Sequence, residues 1–196
     1  MVWDDALHGE PIGHDEPIEL VGTNLRLTGT VNLGRFGRLS DFINASSGYV
    51  RVRDAQLLHR NGDPTSLVLP ELMVDQDEIS FIGQHDAAGP EEGAAGYVEP
   101  GFGSGGQARQ AREFVMFTPG HTVTGRVHVF GQTDIAAFVD TTDPRFVAVT
   151  GATTRSLADR RIVGHYALIL INRTQMIAAS EVGRTGDIAP EDVPDL

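Results

Sequence analysis

The chain has 196 residues and a formal net charge of −12, from 27 acidic residues against 15 basic ones that are all arginine; it contains no lysine and no cysteine. Without lysine there is no Schiff-base catalyst and no phosphate-loop lysine, and without cysteine there is no thiol nucleophile, disulfide, zinc knuckle or iron–sulfur centre. The acidic balance disfavours a free-standing nucleic-acid binder, and the length suits one ordinary domain or two small ones.

Residues 1–19 hold six acidic residues and no arginine and read as a flexible acidic leader. His8 and His14 lie among acids there, without the fixed spacing of a metal site, so no metal or cofactor is expected. No basic segment followed by an apolar stretch opens the chain. The longest apolar run, Tyr166 to Ile171, is of strand length, against the roughly 20 residues of a membrane helix. A soluble, cytoplasmic protein with no membrane span is expected.

From Leu25 to Leu33 apolar and polar residues alternate, which predicts a half-buried strand. Leu39, Phe42 and Ile43 then fall at i, i+3, i+4 and predict a short helix with Gly37 at the cap position. Ser46-Ser47-Gly48 predicts a turn, and residues 49–58, 66–74 and 79–82 predict strands. Asn61-Gly62 suits a tight turn between the first two, and Pro70 marks an edge or a bulge. Residues 85–113 read as a Gly-rich acidic linker. Its end, Gln107 to Glu113, reads as one or two helical turns leading into Phe114–Phe117, an extra strand or a docking segment.

The second half repeats the first. Leu27-Thr28-Gly29-Thr30-Val31 matches Val123-Thr124-Gly125-Arg126-Val127, and Leu39–Asn44 matches Ile135–Asp140. After one inserted residue, Tyr49–Ala55 matches Phe146–Ala152 and Leu72-Met73-Val74 matches Ile169-Leu170-Ile171. The second helix has Thr133 at its cap position, and its following strands are predicted at 146–153, 162–171 and 176–179. The expected fold is therefore mainly β or α+β: a tandem duplication of a strand–short helix–three-strand unit forming small curved sheets, Sm-like or open-barrel. The repeats span 20–84 and 114–180 and carry net charges of −1 and +2, so the acidity sits in the leader, the linker and the tail 181–196. Each unit leaves strand edges that pair with the other repeat or with other chains.

The densest polar cluster is Arg35 to Asn44. Arg35 and Arg38 suit an anion near a helix start; alternatively Arg38 and Asp41 pair at i, i+3 and Asn44 caps the helix end. The second repeat keeps the apolar spacing there and loses the arginine, serine and aspartate, so any such site belongs to the first repeat. His128 reads as exposed and His165 has no nearby carboxylate. Ser104 in its glycines reads as linker rather than a nucleophile elbow. Thr150–Arg155 reads as a strand end.

The pattern Gly29-x-Val31, then Arg38-Leu39-Ser40-Asp41-Phe42-Ile43-Asn44, then Asp54-Ala55, resembles a family of small bacterial domains with no assigned activity, which implies a shared fold alone. Gly29-x-Val31 followed by Asp41 and Asn44 also resembles the first motif of Sm-like domains. No arginine-glycine pair follows in the fourth strand, so that resemblance implies assembly through strand edges and carries over no RNA-contact residue. The leading expectation is a non-catalytic protein–protein interaction module, scaffold or accessory subunit. Its partner is another protein or a second copy, through edge strands. One alternative is an Sm-like RNA binder using Arg26, Arg35, Arg51 and Arg53; another is a small-ligand protein or enzyme with a site near Arg38 and Asp41.

Overall fold

A computed structural model describes residues 13–85, 109–130, 135–140 and 143–182. Thr133, Ser104, His8, residues 86–108 of the linker and residues 183–196 of the tail lie outside the described residues. The first repeat comprises β1 (Asp15–Gly22), β2 (Arg26–Asn32), α1 (Leu39–Ala45), β3 (Tyr49–Leu58), β4 (Pro64–Asp75) and β5 (Ile79–Gln84). The second comprises β6 (Arg109–Thr118), β7 (His121–Phe130), α2 (Ile135–Asp140), β8 (Phe146–Ser156), β9 (Val163–Asn172) and β10 (Ala178–Glu181).

The chain is mainly β, and the ten strands of the described residues form one open antiparallel sheet in the order β10-β6-β7-β8-β9-β5-β1-β2-β3-β4. Each half has the same internal order, with its last strand outside its first. The halves meet where β5 pairs with β9, so the two sheets expected of the duplication are continuous.

The repeat extends to irregularities that only a shared ancestor or a shared constraint would copy. β2–β3 and β7–β8 each slip register opposite a glycine, between Thr28 and Thr30 and between Thr124 and Arg126. The bulged residue takes a left-handed conformation in both, Asp54 at φ 50° and Gly151 at φ 55°. The slip brings backbone close: a Cβ on Gly29 would lie 2.5 Å from Val52 Cγ1 and 2.8 Å from the Arg53 carbonyl oxygen, and one on Gly125 would lie 2.7 Å from Val149 Cγ1. A single 3₁₀ turn then links the last two strands of each half, Gln76–Glu78 and Arg173–Gln175. Asp75 and Asn172 cap these turns through their side chains.

Three readings of the sequence are corrected. Residues 15–19 of the leader form most of β1, because Ile18, Leu20 and Val21 drive it into the sheet and even Glu19 is buried. Arg109–Glu113 is strand rather than helical turns, paired residue for residue with β7. The residue preceding α1 is Arg38, not Gly37, and it makes no side-chain cap bond. Thr150–Arg155 lies within β8 and contains the bulge. Pro70 lies in β4, which is an edge strand.

Gly29→Ala is expected to cost about 1–3 kcal/mol by overpacking the bulge, whereas Gly37→Ala, which meets nothing within 4 Å, stays within about 0.5 kcal/mol of wild type in denaturant melts. Equal stabilities would contradict the bulge packing.

Candidate functional site

The polar chemistry of the molecule gathers at the seam between β5 and β9. Four cross-strand pairs form it: Phe81 with Ile171, Ile82 with Leu170, Gly83 with Ile169 and Gln84 with Leu168. Phe81 and Val21, from the first repeat, lie in the core of the second with Tyr166, Ile169 and Ile171; Phe146 and Leu170, from the second, lie in the core of the first.

Glu19 sits in this seam, 3 % exposed. Its Oε1 accepts from Arg26 Nε at 2.6 Å. Its Oε2 accepts from the Tyr166 hydroxyl at 3.0 Å and pairs with His85 Nε2 at 2.8 Å. The His85 and Tyr166 rings lie 4.5 Å apart, and Phe81 meets His121 edge-on at 5.4 Å. Gly83 is required under the tyrosine, since a Cβ there would fall 2.4 Å from its ring. Burial, then the Glu19 charge, pushes the Tyr166 phenol well above its ordinary value. Burial, then Arg26, lowers His121, so its neutral form is favoured. The carboxylate is thus fully engaged, which an isolated buried charge would require.

A second set of polar groups bolts the rim. Asn44 donates to the Phe146 carbonyl at 3.0 Å and accepts from the Phe146 amide at 2.8 Å. Asn172 donates to the carbonyls of Gln76 and Ile79 at 3.0 and 2.8 Å, and Gln175 donates to that of Asp77 at 2.6 Å. Arg145 pairs with Asp77.

The residues singled out from the sequence are not brought to one place. Arg35 stacks over Phe36 and is exposed, as are Arg38 and Asp41 around the start of α1. Arg51 pairs with Glu71, and Arg53 with Asp15 at 2.5 Å. Asn44 and Arg26 reach the seam, Arg26 through Glu19. Sequence reasoning missed Glu19, Tyr166, His85 and His121. The signal present was an acidic residue inside the apolar run Ile18-Glu19-Leu20-Val21. Among the described residues no group of histidines and carboxylates is arranged to hold a metal ion, and no helix is long and apolar enough to cross a membrane.

No protein-family model matches the chain, no curated protein matches its sequence, and no solved structure matches its fold.

Folding favours the neutral phenol of Tyr166, so the stability it contributes is present below pH 10.0 and is lost as pH rises past that value. In an ultraviolet titration of the folded protein, wild type and Tyr166→Phe should develop the same phenolate absorbance up to about pH 11. An excess of one phenolate in wild type would contradict the buried pairing.

Proposed function

We propose that the protein is a non-catalytic interaction module that engages another protein chain by strand addition at the two ends of its sheet. The observation that carries this reading is the character of those ends. β4 and β10 each present an open edge among the described residues. Leu67, Val68 and Met73 on β4 and the neighbouring Tyr49 are 50–58 % exposed. At the other end Ile177, Val182 and Val139 are 37–68 % exposed. Open edges are ordinarily defended by charge, proline or cover. On β4 Pro64, Pro70 and the Arg51–Glu71 pair supply part of that defence, and Leu67, Val68 and Met73 stand exposed beside them.

The interior of the seam supports a structural role for its polar groups, since Glu19 is committed to three partners. Of the arginines expected to meet RNA, Arg26, Arg51 and Arg53 face Glu19, Glu71 and Asp15, which reduces the positive surface that reading requires.

Hydrogen exchange tests the proposal. The protein isolated in its native assembly, compared with the dilute isolated chain, should show slowed amides in 64–75 and 178–181 with β1, β2 and β7 unchanged. Slowing confined to residues 35–41 would overturn it in favour of a site at α1.

A further inference from the structure

The internal seam supplies a template for what the two open ends receive. It joins the last strand of one repeat to the fourth strand of the other, β5 to β9. The open ends are the remaining members of the same pair types: β10 is the last strand of the second repeat and β4 the fourth strand of the first. Residues that the seam buries reappear, at equivalent positions, exposed at these ends. Phe146 is 1 % exposed and its counterpart Tyr49 58 %; Leu170 is 0 % and Met73 51 %; Ile43 is 0 % and Val139 41 %.

The two ends also match each other. In the seam, polar meets polar: Glu19 with Tyr166, Arg26 beside His121, His85 on Tyr166. The counterparts on the β10 side are Val115, Thr122 and Val182, and those on the β4 side are Leu69 and Leu25. Both sides have become largely apolar together, which two independent solvent-facing surfaces have no reason to do. The pair Val21–Phe81 becomes Phe117–Ala178, so the aromatic ring moves to the facing strand of the same cross-strand pair. Beside β4 an apolar groove of about 360 Å³ is lined by Leu25, Leu57, Leu69, Leu72 and Val74; the counterparts of Leu25 and Leu69 are His121 and Tyr166, the rings that Phe81 meets.

The rim differs in one systematic way. The amides that bolt the seam, Asn44, Asn172 and Gln175, correspond to the acids Asp140, Asp75 and Glu78. Asp75 uses Oδ1 to cap its own turn, as Asn172 does. Its second oxygen therefore stands where Asn172 presents a donor, facing carbonyls in the next copy. An acceptor against acceptors is repulsive; a protonated acid has the shape and the donor of the amide. Glu181 would also face Glu71, although Arg112 and Arg51 accompany them. Arg173, over Phe138, also lies at the β10 end, whereas Asp77 and Arg145 are already paired across the internal seam.

We propose that the chain added at these edges is a second copy of this chain, seated head to tail in the register of the internal seam, with Asp75, Glu78 and Asp140 holding the junction open until their charge is removed. This rests on the strand-addition reading above and adds the identity of the partner and the control of its docking. β10 of one copy pairs with β4 of the next, placing Ala178 opposite Val74 and Ala179 opposite Met73. Because the contact is heterologous it propagates, into a closed ring or an open filament.

The chain lacks cysteine, so single cysteines report the contact cleanly. Ala179→Cys and Met73→Cys chains, each also carrying Asp75→Asn, Glu78→Gln and Asp140→Asn, should cross-link to each other when mixed at neutral pH and give little product alone. The amide substitutions should tighten association measured by sedimentation about tenfold or more over the acidic parent, with unchanged circular dichroism. Cross-linking of Met73→Cys with itself would overturn the head-to-tail register while leaving strand addition standing. Association no tighter with the amides would overturn the control by charge. Monomers throughout, in chains whose native assembly also shows no slowed edge amides, would overturn both readings.

Discussion

The Glu19 carboxylate is the constraint around which the two halves of this molecule are organised. It lies in β1, in the sheet interior, and among the described residues its partners from the first repeat are Arg26 and His85. The Tyr166 hydroxyl comes from β9 of the second repeat, together with the ring that closes over Gly83. A hydrogen bond to a charged group typically contributes about 1.5–3 kcal/mol, so the carboxylate is less well satisfied in the first repeat alone. The seam therefore turns two marginal units of five strands into one cooperative sheet, with Phe81 and Phe146 exchanged between the two cores.

The same constraint gives the seam its specificity. If β5 met the β4 edge of another copy, Glu19 would be buried against Leu69 with no hydroxyl to receive it. If β10 met β9, Tyr166 would lose its acceptor against Val115. Each mismatched pairing strands a buried polar group, which costs about 1–3 kcal/mol per group. The seam within the chain and the junction proposed between chains are therefore chemically distinct versions of one geometry, polar at its centre in the first and apolar in the second. Discrimination comes from penalising the wrong pairing as well as from favouring the right one.

Much of this fold was legible as pattern. Alternation at Leu25–Leu33, helical spacing at Leu39, Phe42 and Ile43, and the duplication itself all follow from local periodicity, and the elements stand where that periodicity puts them. β1 was hidden because its acids gave residues 1–19 the composition of a tail, and charge outweighed the apolar run at Ile18–Val21. Arg109–Glu113 was hidden because polar residues interspersed with alanine fit a helix, while its strand partner β7 is a tertiary fact. Asn44 reads from the sequence as a helix cap within the polar cluster Arg35–Asn44, and its partner is the backbone of Phe146, 102 residues away. Glu19 and Tyr166 are 147 residues apart, and neither has a local motif. What the repeat did carry, once the seam was known, was the substitution at each equivalent position: Tyr166 to Leu69, Asn172 to Asp75, Phe146 to Tyr49.

These substitutions concentrate on two faces and divide by chemistry, apolar at the centre and acidic at the rim. An end that had merely lost its neighbour would be expected to drift toward charge throughout. The most direct measurement is a structure, by electron cryo-microscopy, of the species formed by the chain carrying Asp75→Asn, Glu78→Gln and Asp140→Asn. The account predicts β10 of each copy beside β4 of the next, with Ala178 opposite Val74, in the pairing that places Phe81 opposite Ile171 within the chain. Copies joined β4 to β4, or through any face other than these two edges, would contradict it.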